Sequence, residues 1–207
     1  MLTILGRKTS SNVMKLLWLC QDLGIPYARE DIGGPFGGNN EPAYLTKNPN
    51  GLVPTIVEPD GFTLYESNAI MRYLAATHGG ERLYPADPRR RAKVEQWLDW
   101  QLGANNRPMT VMFITLIRVA EAERNMAAVA RARDDAEALW RMVEAELEGR
   151  AYLCGETLSL ADIALGIYVH RWFVLPIARP ELPRLAAWYA RLKTHKGYAD
   201  NCLAPLV

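Results

Sequence analysis

Between Asn48 and Ile70 the chain reads as turn, strand, hairpin and helix, with the strand beginning at an X-Pro bond. Asn48-Pro49-Asn50-Gly51 supplies residues that set turn dihedrals or hydrogen-bond their own backbone. Proline lacks an N–H, so Pro54 suits the X-Pro bond at which the strand Thr55 to Glu58 begins. Pro59-Asp60-Gly61 turns the chain into a second strand, Thr63 to Tyr65, and so short a connection makes the two antiparallel. Ala69, Ile70, Tyr73 and Leu74 then recur at helical spacing as far as about His78. Glu66 and Ser67 open that helix, where orphan N–H groups and the helix dipole favour an anion.

What precedes this segment makes the sheet mixed. Leu2 to Leu5 reads as a strand ended by Gly6. Thr9-Ser10-Ser11-Asn12 offers several N-cap candidates, and Val13, Leu16, Leu17, Cys20 and Leu23 follow at helical spacing up to Gly24. Ile25 to Asp31 suits a second strand, with Pro26 at its start. Strand, helix and strand within about 30 residues form a βαβ unit with a parallel pair and a right-handed crossover. Gly33 to Asn40 is a loop by composition, and a short helix is expected from Pro42 to about Lys47.

Gly79 to Pro88 has the composition of a connection, and no strand is legible beyond it. One long helix carries Trp97, Leu98 and Leu102, then Met109, Met112, Phe113 and Leu116, with a bend expected near Pro108. Further helices are expected over 131–148, 159–171 and 182–194. The fold class is therefore α/β followed by all-α. The expected domains are residues 1–80, a linker at 81–88, and an all-helical domain at 89–207.

Composition removes several classes of function. With 207 residues, 49% of them hydrophobic, the chain can bury a core. Its 24 basic and 23 acidic residues are intermixed, so no basic stripe points to nucleic acid. The apolar start precedes the basic Arg7 and Lys8, the reverse of a secretory leader, and no apolar run has the length of a membrane span. A cytoplasmic protein is expected. Cys20, Cys154 and Cys202 form no CxxC pair and the three histidines are scattered, so no metal site is expected.

Three motifs in order carry a resemblance: Asn48-Pro49-x-Gly51-x-Val53-Pro54; Asp60-Gly61-x-x-Leu64-x-Glu66-Ser67-x-Ala69-Ile70-x-x-Tyr73-Leu74; and Ser159-Leu160-Ala161-Asp162. Along essentially its whole length the chain resembles the cytosolic glutathione transferases. Thr9-Ser10-Ser11-Asn12 is most similar to bacterial, theta-like members that place a hydroxyl near the first helix.

The resemblance implies a thioredoxin-like N-terminal domain, glutathione as cosubstrate, and transfer of its thiolate to a small hydrophobic electrophile. Glutathione-dependent disulfide reduction and a non-catalytic binding protein are the alternatives. It also implies a cis Val53–Pro54 bond, with the Val53 backbone pairing with the cysteinyl residue like an added strand. Ser67 would hold the γ-glutamyl carboxylate and Glu66 its ammonium. Ser10 would donate to the thiolate, with Ser11 or Thr9 as substitutes and Asn12 as a second donor. Leu52 stands where many relatives have a base for the glycyl carboxylate, which leaves Lys47, a donor from the loop at 36–40, or water. Arg107, Met109, Phe113 and Trp172 are candidates for the electrophile pocket. A homodimer is implied, with Arg72 and Glu95 or Asp99 near the interface and Asp99 near the γ-glutamyl ammonium. Ser159 and Asp162 read as a capping box with a structural role.

Overall fold

The computed structural model describes residues 1–203, 205 and 206; positions 204 and 207 of the expected helical domain lie outside the described residues. Strands β1 (Leu2–Leu5), β2 (Tyr27–Glu30), β3 (Thr55–Val57) and β4 (Thr63–Tyr65) form one sheet in the order β2-β1-β3-β4. β1 runs parallel to β2, and β3 lies antiparallel to both β1 and β4. This is the mixed sheet expected of a βαβ unit joined to a hairpin.

Helix α1 (Ser11–Leu23) crosses between β1 and β2 and ends at Gly24 in the left-handed conformation. Every residue from Val13 to Cys20 is buried, because α1 is enclosed by later helices that pack against it. α2 (Pro42–Leu45) is a single turn, and α3 (Ser67–Thr77) returns across the sheet. The segment after α3 is not a free tether. Leu83 and Tyr84 are buried, and Leu83 C=O accepts from Leu160 N–H at 3.0 Å.

The helical part begins with α4 (Pro88–Trp100), which continues through a π-helical turn at Gln101–Asn105 into α5 (Asn106–Phe113) and a second π turn at Ile114–Arg118. Pro108 explains the first irregularity: it offers no N–H to the preceding turn and its ring crowds the carbonyl four residues back. α6 (Met126–Glu146), α7 (Leu160–Val174), α8 (Pro183–Leu192) and α9 (Lys196–Cys202) complete the chain. The expectation of residue 131 as the start of α6 was five residues late, and α9 was not foreseen.

The capping box at the start of α7 forms as expected. The fully buried Asp162 carboxylate accepts from Ser159 N–H and Oγ–H, Leu153 N–H and Trp188 Nε1–H, at 2.9 to 3.0 Å. Burial raises its pKa, and these four donors oppose that rise.

Candidate active site

The turn before β3 is held from inside. Asn48 is buried; its Nδ2 donates to Leu52 C=O at 2.8 Å and to Thr55 Oγ1 at 3.2 Å, and its Oδ1 accepts from Asn50 N–H at 3.1 Å. Tyr44 Oη reaches the same Thr55 hydroxyl at 2.9 Å. Gly51 has φ 62°, and a Cβ there would lie 2.8 Å from Asn40 Oδ1, so both backbone and space require glycine. The Val53–Pro54 bond that follows is cis. Val53 N–H and C=O make no hydrogen bond among the described residues, so an extended backbone can pair with them.

Facing Val53 is the N-terminus of α1. Ser10 is its N-cap by dihedral angles, yet its side chain makes no capping bond and is 8% exposed. The first turn of α1 has no acidic residue, so its orphan N–H groups and dipole point at the space beside Ser10 without a resident anion. Thr9, Ser10, Ser11, Asn12, Leu52 and Val53 all line one cleft of about 340 Å³. Its other wall is Asn106, Thr110, Phe113, Ile114, Arg118 and Arg171 from the helical part, and Arg7, Gly33, Gly34 and Asn39 close the end.

Neither Glu66 nor Ser67 is among the residues lining this cleft, but Ser67 reaches it through Asn12. Ser67 Oγ–H donates to Asn12 Oδ1 at 3.3 Å and accepts from Lys15 Nζ at 3.3 Å. Glu66 has φ 71°, a conformation costing a non-glycine residue about 1–3 kcal/mol, which holds its exposed side chain outward at the helix start. Lys15 is fully buried and also donates to Asn68 Oδ1 at 3.0 Å and Gln101 Oε1 at 2.8 Å. Burial pulls its pKa down to about 7; Glu66 opposes the shift and Arg171 adds to it.

Several expected site residues lie elsewhere. Lys47 Nζ donates to Ala43 C=O at 2.7 Å and is not part of the cleft wall. Asn39, within the alternative loop, is part of it, with Nδ2 on Gly51 C=O at 2.8 Å. Asp99 is exposed and pairs with Arg72 of the same chain at 2.6 Å, and Glu95 accepts from Tyr84 Oη. Met109 and Trp172 are fully buried in the core, because the helical spacing that suggested a pocket faces the bundle interior. Arg107 is exposed and off the cleft. Of the four pocket candidates, only Phe113 lines it. No described cysteine lines it either, and burial pushes Cys20 up to about 12, so a thiolate there has to come from outside the chain.

The sequence reading overlooked Lys15, Arg7 and Arg171. For Lys15 and Arg171 a signal existed: each is a lone cation in a run of apolar residues, Val13 to Cys20 and Ile163 to Val174. Such a charge is buried only with partners or a purpose.

Residues 9–77 match the family model of the glutathione S-transferase N-terminal domain, and residues 126–191 match that of the C-terminal domain. The chain belongs to the glutathione S-transferase family. Within this family it is 35% identical over the full length of both chains to glutathione S-transferase GstB of Escherichia coli K12. It is similar to a theta-class glutathione S-transferase of Xanthomonas axonopodis pv. citri crystallised with glutathione bound, with 42% identity, a TM-score of 0.95, and coverage of 100% of this chain and 99% of that one. A glutathione S-transferase of Pseudomonas fluorescens Pf-5 is 29% identical with a TM-score of 0.86, over 100% and 98% of the two chains. The thioredoxin-like and helical halves of the family fold are both present.

Proposed function

We propose that this glutathione transferase binds glutathione along Val53 and activates its thiol at Ser10. The observation that carries this reading is the uncapped N-terminus of α1, with the Ser10 hydroxyl free of a capping bond, opposite the unpaired Val53 backbone. The cysteinyl residue pairs with Val53 as an extra strand. Ser67 and the start of α3 receive the γ-glutamyl carboxylate, and Glu66 its ammonium. Asn39, on the cleft wall beside Gly51, takes the glycyl carboxylate in place of the base missing at Leu52.

A free thiol near pKa 8.5 is only a few per cent ionised at neutral pH. The Ser10 hydroxyl and the helix dipole favour the anion, and lowering that pKa by about two units corresponds to roughly 2.7 kcal/mol of thiolate stabilisation. The thiolate attacks the electrophilic carbon, the C–S bond forms as the carbon–leaving-group bond breaks, and the leaving group departs with the electron pair. Asn12, whose Oδ1 accepts from Ser67 Oγ–H, serves as a second donor through its Nδ2. Ser10→Ala is expected to cut turnover at least tenfold while the protein is still retained on immobilised glutathione. Turnover equal to the unmodified protein would move the role to Thr9 or Ser11, and loss of retention would count against a purely catalytic role.

We also infer a cytoplasmic homodimer, with α3 packed against the partner's α4. No described helix is long and apolar enough to cross a membrane.

A further inference from the structure

The cleft carries charge where the sequence led us to expect an apolar surface. Arg118 and Arg171 line the wall from the helical part, Arg7 lines the end beside Gly33 and Val53, and none of the described lining residues is Asp or Glu. Arg171 is 6% exposed, with its guanidinium 3.8 Å from the centroid of the Phe113 ring. Stacking on an aromatic face leaves the N–H groups at the edge of the guanidinium available to an acceptor. Arg7 lies along the loop at Gly33 and Gly34: a Cβ built on either glycine would meet its side chain within 3.2 Å. Neither Arg7 nor Arg171 makes an ion pair or a side-chain hydrogen bond among the described residues.

The arginines also repel one another. Burial, opposed by Tyr168 and reinforced by Arg118 and Arg7, brings the pKa of Arg171 down to about 10; Arg7 is depressed by burial and then by Arg118. Like charges gathered around one partly buried cleft repel one another, and an incoming anion relieves that repulsion. The tripeptide's own anionic groups have other partners in the arrangement proposed above: the α3 start and Asn39.

Resting on that glutathione reading, we propose that the electrophile accepted by this cleft is itself an anion, a small molecule carrying a carboxylate or similar oxyanion beside its reactive carbon. Arg171 and Arg7 hold the oxyanion, and Phe113 packs against the carbon skeleton. For an α-halo carboxylate, the sulfur–carbon bond forms as the carbon–halogen bond breaks and halide leaves with the electron pair. The carboxylate is unchanged throughout. The arginines also offset the repulsion between two anions, thiolate and carboxylate, that slows the same reaction in water.

The test uses a matched pair of conjugates that differ only in charge at the acceptor end: S-carboxymethylglutathione and S-carbamoylmethylglutathione, titrated calorimetrically into the purified protein. The acid is expected to bind at least tenfold more tightly than the amide. That ratio is expected to fall towards one in Arg171→Gln and, separately, in Arg7→Gln, where the more exposed position protects against misfolding. Equal affinities in the unmodified protein would overturn the anionic acceptor and leave the glutathione reading standing. Arginine variants that weaken both conjugates and free glutathione alike would overturn it too, by assigning the arginines to the tripeptide. No binding of glutathione or of either conjugate would overturn the glutathione reading and this proposal together.

Discussion

Lys15 shows how a single charge can shape stability at a site. Its three acceptors, on Ser67, Asn68 and Gln101, match the three N–H groups of an ammonium, yet none of them is a carboxylate. Desolvation therefore outweighs hydrogen bonding, and the pKa falls to about 7 in the folded protein. In the unfolded chain it returns to about 10.4. Between those values the unfolded state binds more protons, so stability rises with pH by up to about 1.4 kcal/mol per unit. Below about 7 both states are protonated and the penalty is present in full. Lys15→Met should therefore lack this slope. Urea unfolding at several pH values from 7 to 9.5, taken as the difference between the two proteins, checks this; parallel curves would refute it. The alternation of apolar residues could not reveal the lysine's environment, because α1 is buried all round and a helix with no solvent face hides which position is special.

At the scale of elements, local signals were read well and tertiary ones poorly. β4 was placed at its observed ends, and α1 stops at the glycine that marked its end, because turn and cap residues act within a few positions. The turn–X-Pro–strand segment and the helix start at Glu66 were legible for the same reason. The sharing of one cleft by Arg7 and Arg171 was not: they lie 164 positions apart and come to one site only when α7 packs beside α1. α9 was equally hidden, since Lys196 to Cys202 is polar and carries Gly197. It is helical because Tyr198 packs edge-on to Trp18, with ring centroids 4.9 Å apart, and donates to Gly166 C=O at 2.7 Å. Gly166 of α7 lies against both α1 and α9. A Cβ there would lie 2.8 Å from Trp18 Cζ3 and 3.1 Å from Tyr198 Cε2. Two effects compete in Gly166→Ala. Helix propensity favours alanine by about 1 kcal/mol, while overpacking of a rigid aromatic contact costs about 1–3 kcal/mol. The contact should prevail, lowering the melting temperature by several degrees in a calorimetric scan; an unchanged or higher value would show that the rings move aside cheaply.

The whole molecule joins its halves through α1, which packs against α3 of the N-terminal half and against α7 and α9 of the helical half, and whose N-terminus presents Ser10 to the cleft. The cleft is lined by residues of one chain, and Glu66, assigned to the γ-glutamyl ammonium in the arrangement proposed above, is exposed. The charges expected to bridge two subunits are already engaged inside one: Arg72 holds Asp99, and Tyr84 holds Glu95. An exposed ion pair contributes only about 0–1 kcal/mol, so it neither builds nor forbids a dimer. Apolar side chains near α3 and α4 are better candidates to drive association. Phe62 and Tyr65 on the β3–β4 hairpin and Leu102 in the π turn are between 36% and 42% exposed. If these surfaces carry the dimer, association should resist salt, since the hydrophobic contribution is not screened. Light scattering on a sizing column is expected to give about twice the chain mass of 23.3 kDa, in low salt and in high salt alike. Leu102→Glu should shift that mass towards the monomer, and Arg72→Ala should leave it unchanged. A monomer in the unmodified protein would refute the dimer, and a dimer that dissociates in salt would place its origin in the charges instead.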